Sequence, residues 1–330
     1  MDQLRTIDRL EAIRTLTEPH RLAILRLLLV KPHTISSLGR ALDRHPAWVR
    51  HHVKALEDVG LVELTATTTT KNYTEKWYAA TGAAFSVSMV VRPGSGGASP
   101  LLALVSHDLA VELLASDSGE QRSFTAAVTG SLDGLIGVRQ GLADIAGCHL
   151  LDADTGQYNV PYARHIFPDR DMVLVTLAHR EQGLIVAPGN PLSIRSVADI
   201  AAAGARFVNR NRGSGTRVWI DHALSGAGIA GADVIGYDRV VDTHTQAAAD
   251  VAAGRADVAV GIGAAAKRLD LGFVPLFRER YDLVMPVEVY DTAEARHLID
   301  RLHTREFKRS VSRISGYDAV SMGDEYRLAV

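Results

Sequence analysis

A single cysteine, Cys148, stands in 330 residues, which excludes an intramolecular disulfide framework and any zinc site built on clustered cysteines. No uninterrupted apolar stretch reaches membrane-spanning length. The opening MDQLRTIDRLEAIRTL is charged throughout and lacks the apolar core of a secretory signal, so a cytoplasmic location is expected. Two chemistry-bearing patterns are missing as well. No GxxxxGK[ST] phosphate loop speaks for a nucleotide hydrolase, and no GxSxG elbow speaks for an esterase.

What is present is the composition of an ordinary globular protein, 47% hydrophobic and 22% charged, with length enough for two domains. The formal net charge of −2 conceals an asymmetry: residues 1–82 hold 12 Lys/Arg against 9 Asp/Glu, and the remainder 24 against 29. Five of the 13 histidines also lie in that front part. A mildly basic front is compatible with nucleic acid.

Leu4, Ile7, Leu10, Ile13 and Leu16 recur at three-residue steps, which predicts a helix over residues 3–16. Pro19 at a first-turn position opens a second helix to Val30, with Leu22, Leu25, Leu28 and Leu29 on its apolar side. A short helix over residues 36–42 and another from Pro46 to Val59, stopped by Gly60, complete a helix-turn-helix. Val49, Val53 and Leu56 form the core face of the last helix, leaving Ala47, Trp48, Arg50, His51 and Lys54 outward for a major groove. Residues 61–64 and 73–79 are expected as two strands around a polar turn, a wing that offers Lys71 and Lys76 to phosphates.

EPHRLAILRLLL, TISSLGRALD and HPAWVRHHVKALEDVGLVEL, followed by the hairpin, resemble the ArsR-type winged helix. Family members that sense metals through cysteines on these helices have no counterpart here, because the domain contains no cysteine. The first helix is the natural dimer contact, since two-fold proteins read paired half-sites.

RPGSGGAS marks a connector, and the expected organisation is a DNA-binding domain over 1–82, a linker over 83–98 and a ligand domain over 99–330. Beyond the linker, short apolar runs alternate with helical patterns: LLALV, then a helix to Leu114; FTAAV, then a helix to Leu142; then HLL. This alternation predicts an α/β domain with largely parallel sheets. Strand ends that run into helices at Ser106–His107 and at Ser131 place hydroxyls beside free N–H groups, which favour anions. A third corner, NRNRGSGTR, joins Gly213 and Gly215 with Ser214, Thr216, Arg212 and Arg217 in a phosphate-type nest, with Arg210 read as a surface charge.

SHDLAVELL, GSLDGLIGVRQGLADIAGCHLLD, YNVPY, QGLIVAPGNP, FVNRNRGSGTR, HTQAAADVAAGRADVAVGI and ERYDLVMP resemble the cytoplasmic molybdate-binding-protein-like family over about residues 100–318. The resemblance implies a two-lobed periplasmic-binding-protein fold that closes on ligand, with LIVAPGNPLSI as a crossing segment. It also implies a cleft lined by Ser106, His107, Ser131, the Arg212–Arg217 loop, His244 and Thr245, with Tyr158 and Asn159 as further candidates. Arginines and histidines in such a cleft leave open a molybdate- or tungstate-type oxyanion and a small organic anion.

Joined in one chain, the two domains are expected to make a one-component transcription regulator. Its partners would be an operator in double-stranded DNA and a small anion, with the chain acting as a homodimer and requiring neither cofactor nor metal. The alternatives are an enzyme using the same cleft, for which His107, Asp108 and Ser131 can be written as a hydrolytic trio, and a ligand-binding scaffold.

Overall fold

The computed structural model describes residues 4–70, 73–91, 100–116 and 124–330. The chain divides into two compact units, Met1–Val91 and Arg92–Val330.

In the first unit, β1 (Leu4–Ile7) precedes α1 (Leu10–Leu16) and α2 (Pro19–Val30). β2 (His33–Thr34), α3 (Ile35–Leu42) and α4 (Pro46–Asp58) follow, then β3 (Val62–Thr70), β4 (Tyr73–Ala80) and β5 (Ala84–Val87). The helix expected over residues 3–16 is therefore two elements. Leu4–Ile7 is a strand because it has a partner some 80 residues on, pairing parallel with β5 from Leu4 against Ala84 to Ile7 against Val87. That pairing also carries the first unit past residue 82, since β5 lies where the linker was placed. The remainder of that linker, residues 92–98, lies outside the described residues.

The helix-turn-helix is set by local chemistry. Glu18 caps α2 by accepting from Arg21 N (2.8 Å) just before Pro19. Thr34 and Ser37 form a reciprocal capping box on α3. Gly39 sits where a Cβ would lie 2.8 Å from the Arg44 carbonyl oxygen, so its missing side chain lets the turn fold back tightly. Ile24, Leu25, Leu28, Leu38, Val49, Val53 and Leu56 form the buried core. Ile24 rather than Leu22 faces inward on α2. The threonine run expected in the wing's turn belongs to β3, paired along β4 as far as Thr70 opposite Tyr73.

The second unit opens with β6 (Leu101–Val105), α5 (Leu109–Ser116), β7 (Phe124–Val128), α6 (Ser131–Arg139), β8 (Ile145–Cys148), α7 (Val160–Ile166) and β9 (Met172–Val186). It continues through α8 (Val197–Ala202), β10 (Phe207–Arg210), α9 (Gly215–Gly226), β11 (Val240–Val241), α10 (His244–Ala252), β12 (Val258–Ile262) and α11 (Gly263–Arg268). β13 (Gly272–Pro286), α12 (Val287–Tyr290), α13 (Ala293–His303), α14 (Arg305–Ser312), β14 (Tyr317–Asp318) and β15 (Glu325–Leu328) close it. Among the described residues no helix is long and apolar enough to cross a membrane.

One sheet runs in the order β11-β10-β12-β9-β13-β8-β6-β7, with β14 and β15 also paired to β9. It is mixed rather than largely parallel. β6, β7 and β8 are mutually parallel, as are β10, β11 and β12. β9 and β13, 15 residues each, run antiparallel to one another and to the neighbours they join. The β8 and β12 pairings use opposite ends of this pair: β8 meets β13 at 282–284, while β12 meets β9 at 182–186. The two long strands thus belong to both lobes. One lobe packs Leu184, Ile194, Ile200, Phe207, Ile220 and Val258 together, and the other includes Leu135, Cys148, Leu150, Phe167, Leu174 and Val284. α6 ends at Arg139, short of Leu142, and the strand expected at HLL is Ile145–Cys148 instead.

Candidate ligand cleft and DNA-facing helix

In the first unit Ala47, Arg50, His51 and Lys54 are exposed on α4, and Lys76 is exposed on β4. Lys54 is bound on its own helix by Glu57 (3.3 Å) and Asp58 (2.8 Å). Trp48 is half-buried, its ring 4.9 Å from that of His20 and 4.1 Å from that of His52, with Arg44 above it at 5.6 Å. The outward positions closest to a reading face are therefore Ala47, Arg50 and His51. Lys71, the other residue of the expected wing, lies outside the described residues.

A buried polar cluster in the second unit is built at the carboxyl ends of β6, β7, β8 and β10 and at the crossing of β9 and β13, the place where open α/β sheets take ligands. Arg180 and Gln182 sit on β9 and Glu279 on β13, buried although charged or polar. Arg180 binds Glu279 through Nε, and its Nη1 donates to Asp108 Oδ2 (2.6 Å) and to the His107 carbonyl (3.3 Å). Tyr317 donates to the same Asp108 oxygen (2.7 Å). Gln182 donates to Glu279 (2.7 Å) and to Thr216 (2.9 Å). Burial raises Glu279, but Arg180 and His149 outweigh it and hold the carboxyl at about 2.

Two further chains of hydrogen bonds meet there. His149 Nδ1 donates to Glu279 Oε2 (2.7 Å), and its Nε2 lies 2.9 Å from Ser106 Oγ. Arg210 reaches His244 Nδ1 (2.9 Å) and the carbonyls of Asp242 (2.8 Å) and Val241 (3.3 Å), all neutral acceptors. Burial, with Arg180 adding repulsion, pulls Arg210 down to about 9. Burial likewise lowers His149, His107 and, furthest, His244 below the ordinary imidazole range.

Three nitrogens in this cluster are buried without a partner: Arg180 Nη2, His244 Nε2 and His107 Nδ1. The rings of His107 and His244 are 5.8 Å apart. Buried donors and acceptors are satisfied in the great majority of folded proteins, so three orphans together call for partners that the surrounding side chains do not supply.

The expected site residues divide accordingly. Ser106, His107 and His244 are in the cluster. Ser131 Oγ is in the same shell, accepting from His149 N (3.2 Å). The GSGTR loop serves the frame. Ser214 caps α9 by accepting from Arg217 N (3.3 Å), and Thr216 holds Gln182. Gly215 is a glycine because a Cβ there would lie 2.3 Å from the His149 carbonyl oxygen. Gly213, at φ 81°, passes beside Asp133. Arg217 is spent on Asp221 (2.8 Å) and stacks on Tyr237, while Arg212 is exposed. Asn159 is a brace, accepting from Leu150 N (2.7 Å) and donating to Asp282 (2.8 Å). Tyr158 donates to the Arg278 carbonyl (3.3 Å), and Thr245 is half-buried behind His244.

Arg210, read from sequence as a surface charge, is 1% exposed. Arg180, Gln182, His149 and Glu279 were missed altogether. The one signal for them was a charged pair of triplets, HRE and RER, inside otherwise apolar strands. The hydrolytic trio is not assembled, because His107 bonds Glu112 (3.0 Å), Asp108 bonds Arg180 and Ser131 serves a backbone N–H.

Comparison with known proteins places both units. Residues 112–303 match the family described as PBP superfamily domain, and residues 16–65 match a helix-turn-helix domain. The chain is 34% identical over 226 residues to the uncharacterized protein YvgK of Bacillus subtilis (strain 168), covering 68% of this chain and 73% of that protein. It is 32% identical over 109 residues to an uncharacterized protein in the ferredoxin 2Fe-2S gene 5′ region of Clostridium pasteurianum, covering 32% and 95%. Among solved structures, a putative phosphate ABC transporter substrate-binding protein of Clostridium perfringens superposes with TM-score 0.50 at 13% identity, covering 66% of this chain and 98% of that one. At that identity the likeness is one of fold. A helix-turn-helix domain and a binding-protein fold are both non-enzymatic kinds of domain.

Proposed function

Because the chain belongs to the PBP superfamily through its second unit and carries a helix-turn-helix domain in its first, we propose that it is a cytoplasmic one-component transcription regulator. A small anion in the cleft sets its affinity for an operator. The observation that carries this reading is the trio of unpartnered buried nitrogens at the lobe crossing, in the same chain as a helix whose Ala47, Arg50 and His51 are exposed. Ligand selects the closed arrangement of the lobes, and in a homodimer that choice is passed to the spacing of two DNA-binding units. A tenfold to hundredfold switch needs only about 1.4–2.8 kcal/mol of coupling.

The test is DNA binding by the full chain, with operators selected from a random library. Affinity is expected to fall steeply with salt as phosphate contacts release counterions. Arg50→Ala is expected to cost about 1–3 kcal/mol on the selected sequence and to relax its specificity, while Lys76→Ala weakens all sequences alike. Salt-independent retention, or an Arg50→Ala protein that reads the operator unchanged, counts against the reading face.

A hydrolytic reading has one observation in its favour, the hydroxyl–imidazole–carboxylate order of Ser106, His149 and Glu279. Arg180 already answers the carboxylate charge that would have to stabilise an imidazolium. The expected result with a panel of esters is no turnover, and turnover abolished by Ser106→Ala would reverse it.

A further inference from the structure

The hydrogen positions at the unpartnered nitrogens follow from their neighbours. A guanidinium only donates, so Arg210 makes His244 Nδ1 an acceptor, and the ring hydrogen of His244 is on the orphaned Nε2. A carboxylate only accepts, so the His107 nitrogen facing Glu112 is the protonated one, and the orphaned Nδ1 of the neutral ring offers a lone pair. By the same rule His149 gives its Nδ1 hydrogen to Glu279, and its Nε2 takes the hydrogen of Ser106. Ser106 then presents only lone pairs to anything else. The buried cluster therefore offers two kinds of partner, on residues linked through the Arg180–His107 bond and the neighbouring His107 and His244 rings. Arg180 Nη2 and His244 Nε2 donate, while His107 Nδ1 and Ser106 Oγ accept.

A fully deprotonated oxyanion satisfies the donors and sets its own lone pairs against the acceptors. An oxyanion that keeps a hydrogen satisfies both. Resting on the cleft reading above, we propose that the ligand is a compact tetrahedral oxyanion retaining an acidic proton near neutral pH, of which hydrogenphosphate is the simplest, and that oxyanions without one are rejected. Three features agree with this. The residues carrying the four atoms are 0–5% exposed, which suits a compact ion. Burial keeps His107, His149 and His244 neutral, which preserves this pattern of donors and acceptors. The charge of Arg180 is spent on Asp108 and Glu279, while Arg210 bonds neutral acceptors, so one cation is left to answer an anion.

The experiment is calorimetric titration of the full chain near neutral pH with inorganic phosphate, arsenate, sulfate, molybdate and tungstate. Phosphate and arsenate keep a hydrogen under these conditions, and the other three do not. Phosphate and arsenate are expected to bind at least about tenfold tighter, the consequence of one hydrogen bond made rather than opposed. His107→Ala, which removes an acceptor, is expected to bring phosphate and sulfate about tenfold closer together. Sulfate, molybdate or tungstate binding as tightly as phosphate to the unaltered chain overturns the proposal and leaves an anion cleft in place. Binding of none of the five overturns both.

Discussion

Replacing Arg180 with methionine is expected to destabilise the C-terminal unit by about 3–5 kcal/mol, the usual cost of removing one partner from a buried ion pair. Arg180 is fully buried and bound to two buried carboxylates, Asp108 and Glu279, and its guanidinium lies 4.8 Å above the Tyr281 ring. Methionine fills much of the volume but leaves both carboxylates without a cation in a site from which water is excluded. Relief then comes only by protonation or by opening the cleft. Trp219 is the single tryptophan of the second unit, so a background with Trp48→Phe and Trp77→Phe lets its fluorescence report that unit's urea midpoint alone. Adding Glu279→Gln to Arg180→Met is expected to restore part of the loss, because one of the two stranded charges is gone. A midpoint unmoved by Arg180→Met would mean that the two carboxylates are held by something other than this arginine.

The second large effect is acid lability well above the range in which carboxylates titrate. His107, His149 and His244 are buried, and burial holds each below its ordinary value of about 6.5. In the unfolded chain they take up protons as pH falls through that value, while the folded chain keeps them neutral. The unfolded state then binds more protons, so stability rises with pH across this window. The contribution is fully present above about pH 6.5 and is lost as pH falls toward the depressed folded values. Each proton contributes at most about 1.4 kcal/mol per pH unit, so the three together approach about 4 kcal/mol per unit at the limiting slope. Glu279, held at about 2, acts in the same direction only lower down, between its unfolded value of about 4.3 and about 2. The Trp219-reported midpoint is expected to drop between about pH 7 and 5, and a flat profile there would show that the imidazoles are not buried neutral in solution.

The parts of the molecule that were legible in sequence are those whose causes are local. Pro19 and Pro46 at helix starts and the Val49–Val53–Leu56 spacing act within a few residues, and the helices follow them. Leu4–Ile7 fits a three-residue repeat equally well, and only its pairing with residues 84–87 makes it a strand. In the second unit the strand-to-helix corners at Ser106 and Ser131 mark where chain direction changes, and such corners line the cleft wherever the lobes meet. Arg180 and Glu279 carry no such mark, because they lie in mid-strand with partners 72 and 99 residues away from Arg180. The NRNRGSGTR loop shows the converse: glycine, hydroxyl and arginine together look like an anion nest in sequence, and what sequence does not reveal is that Gly215 also answers the close approach of His149 and Arg217 pairs with Asp221.

β9 and β13 pass from one lobe to the other beside Arg180, Gln182 and Glu279, which makes that crossing the fulcrum of the second unit. Points at a fulcrum travel least while the ends of the arms travel most. On the proposed reading, an ion seated there would need to shift its contacts only slightly to separate two lobe positions, and the lobe tips would convert that small angular difference into a larger displacement. Such an arrangement would be a lever with a short input arm, its sensitivity set by how stiffly two strands resist twisting more than by how many bonds the ion makes.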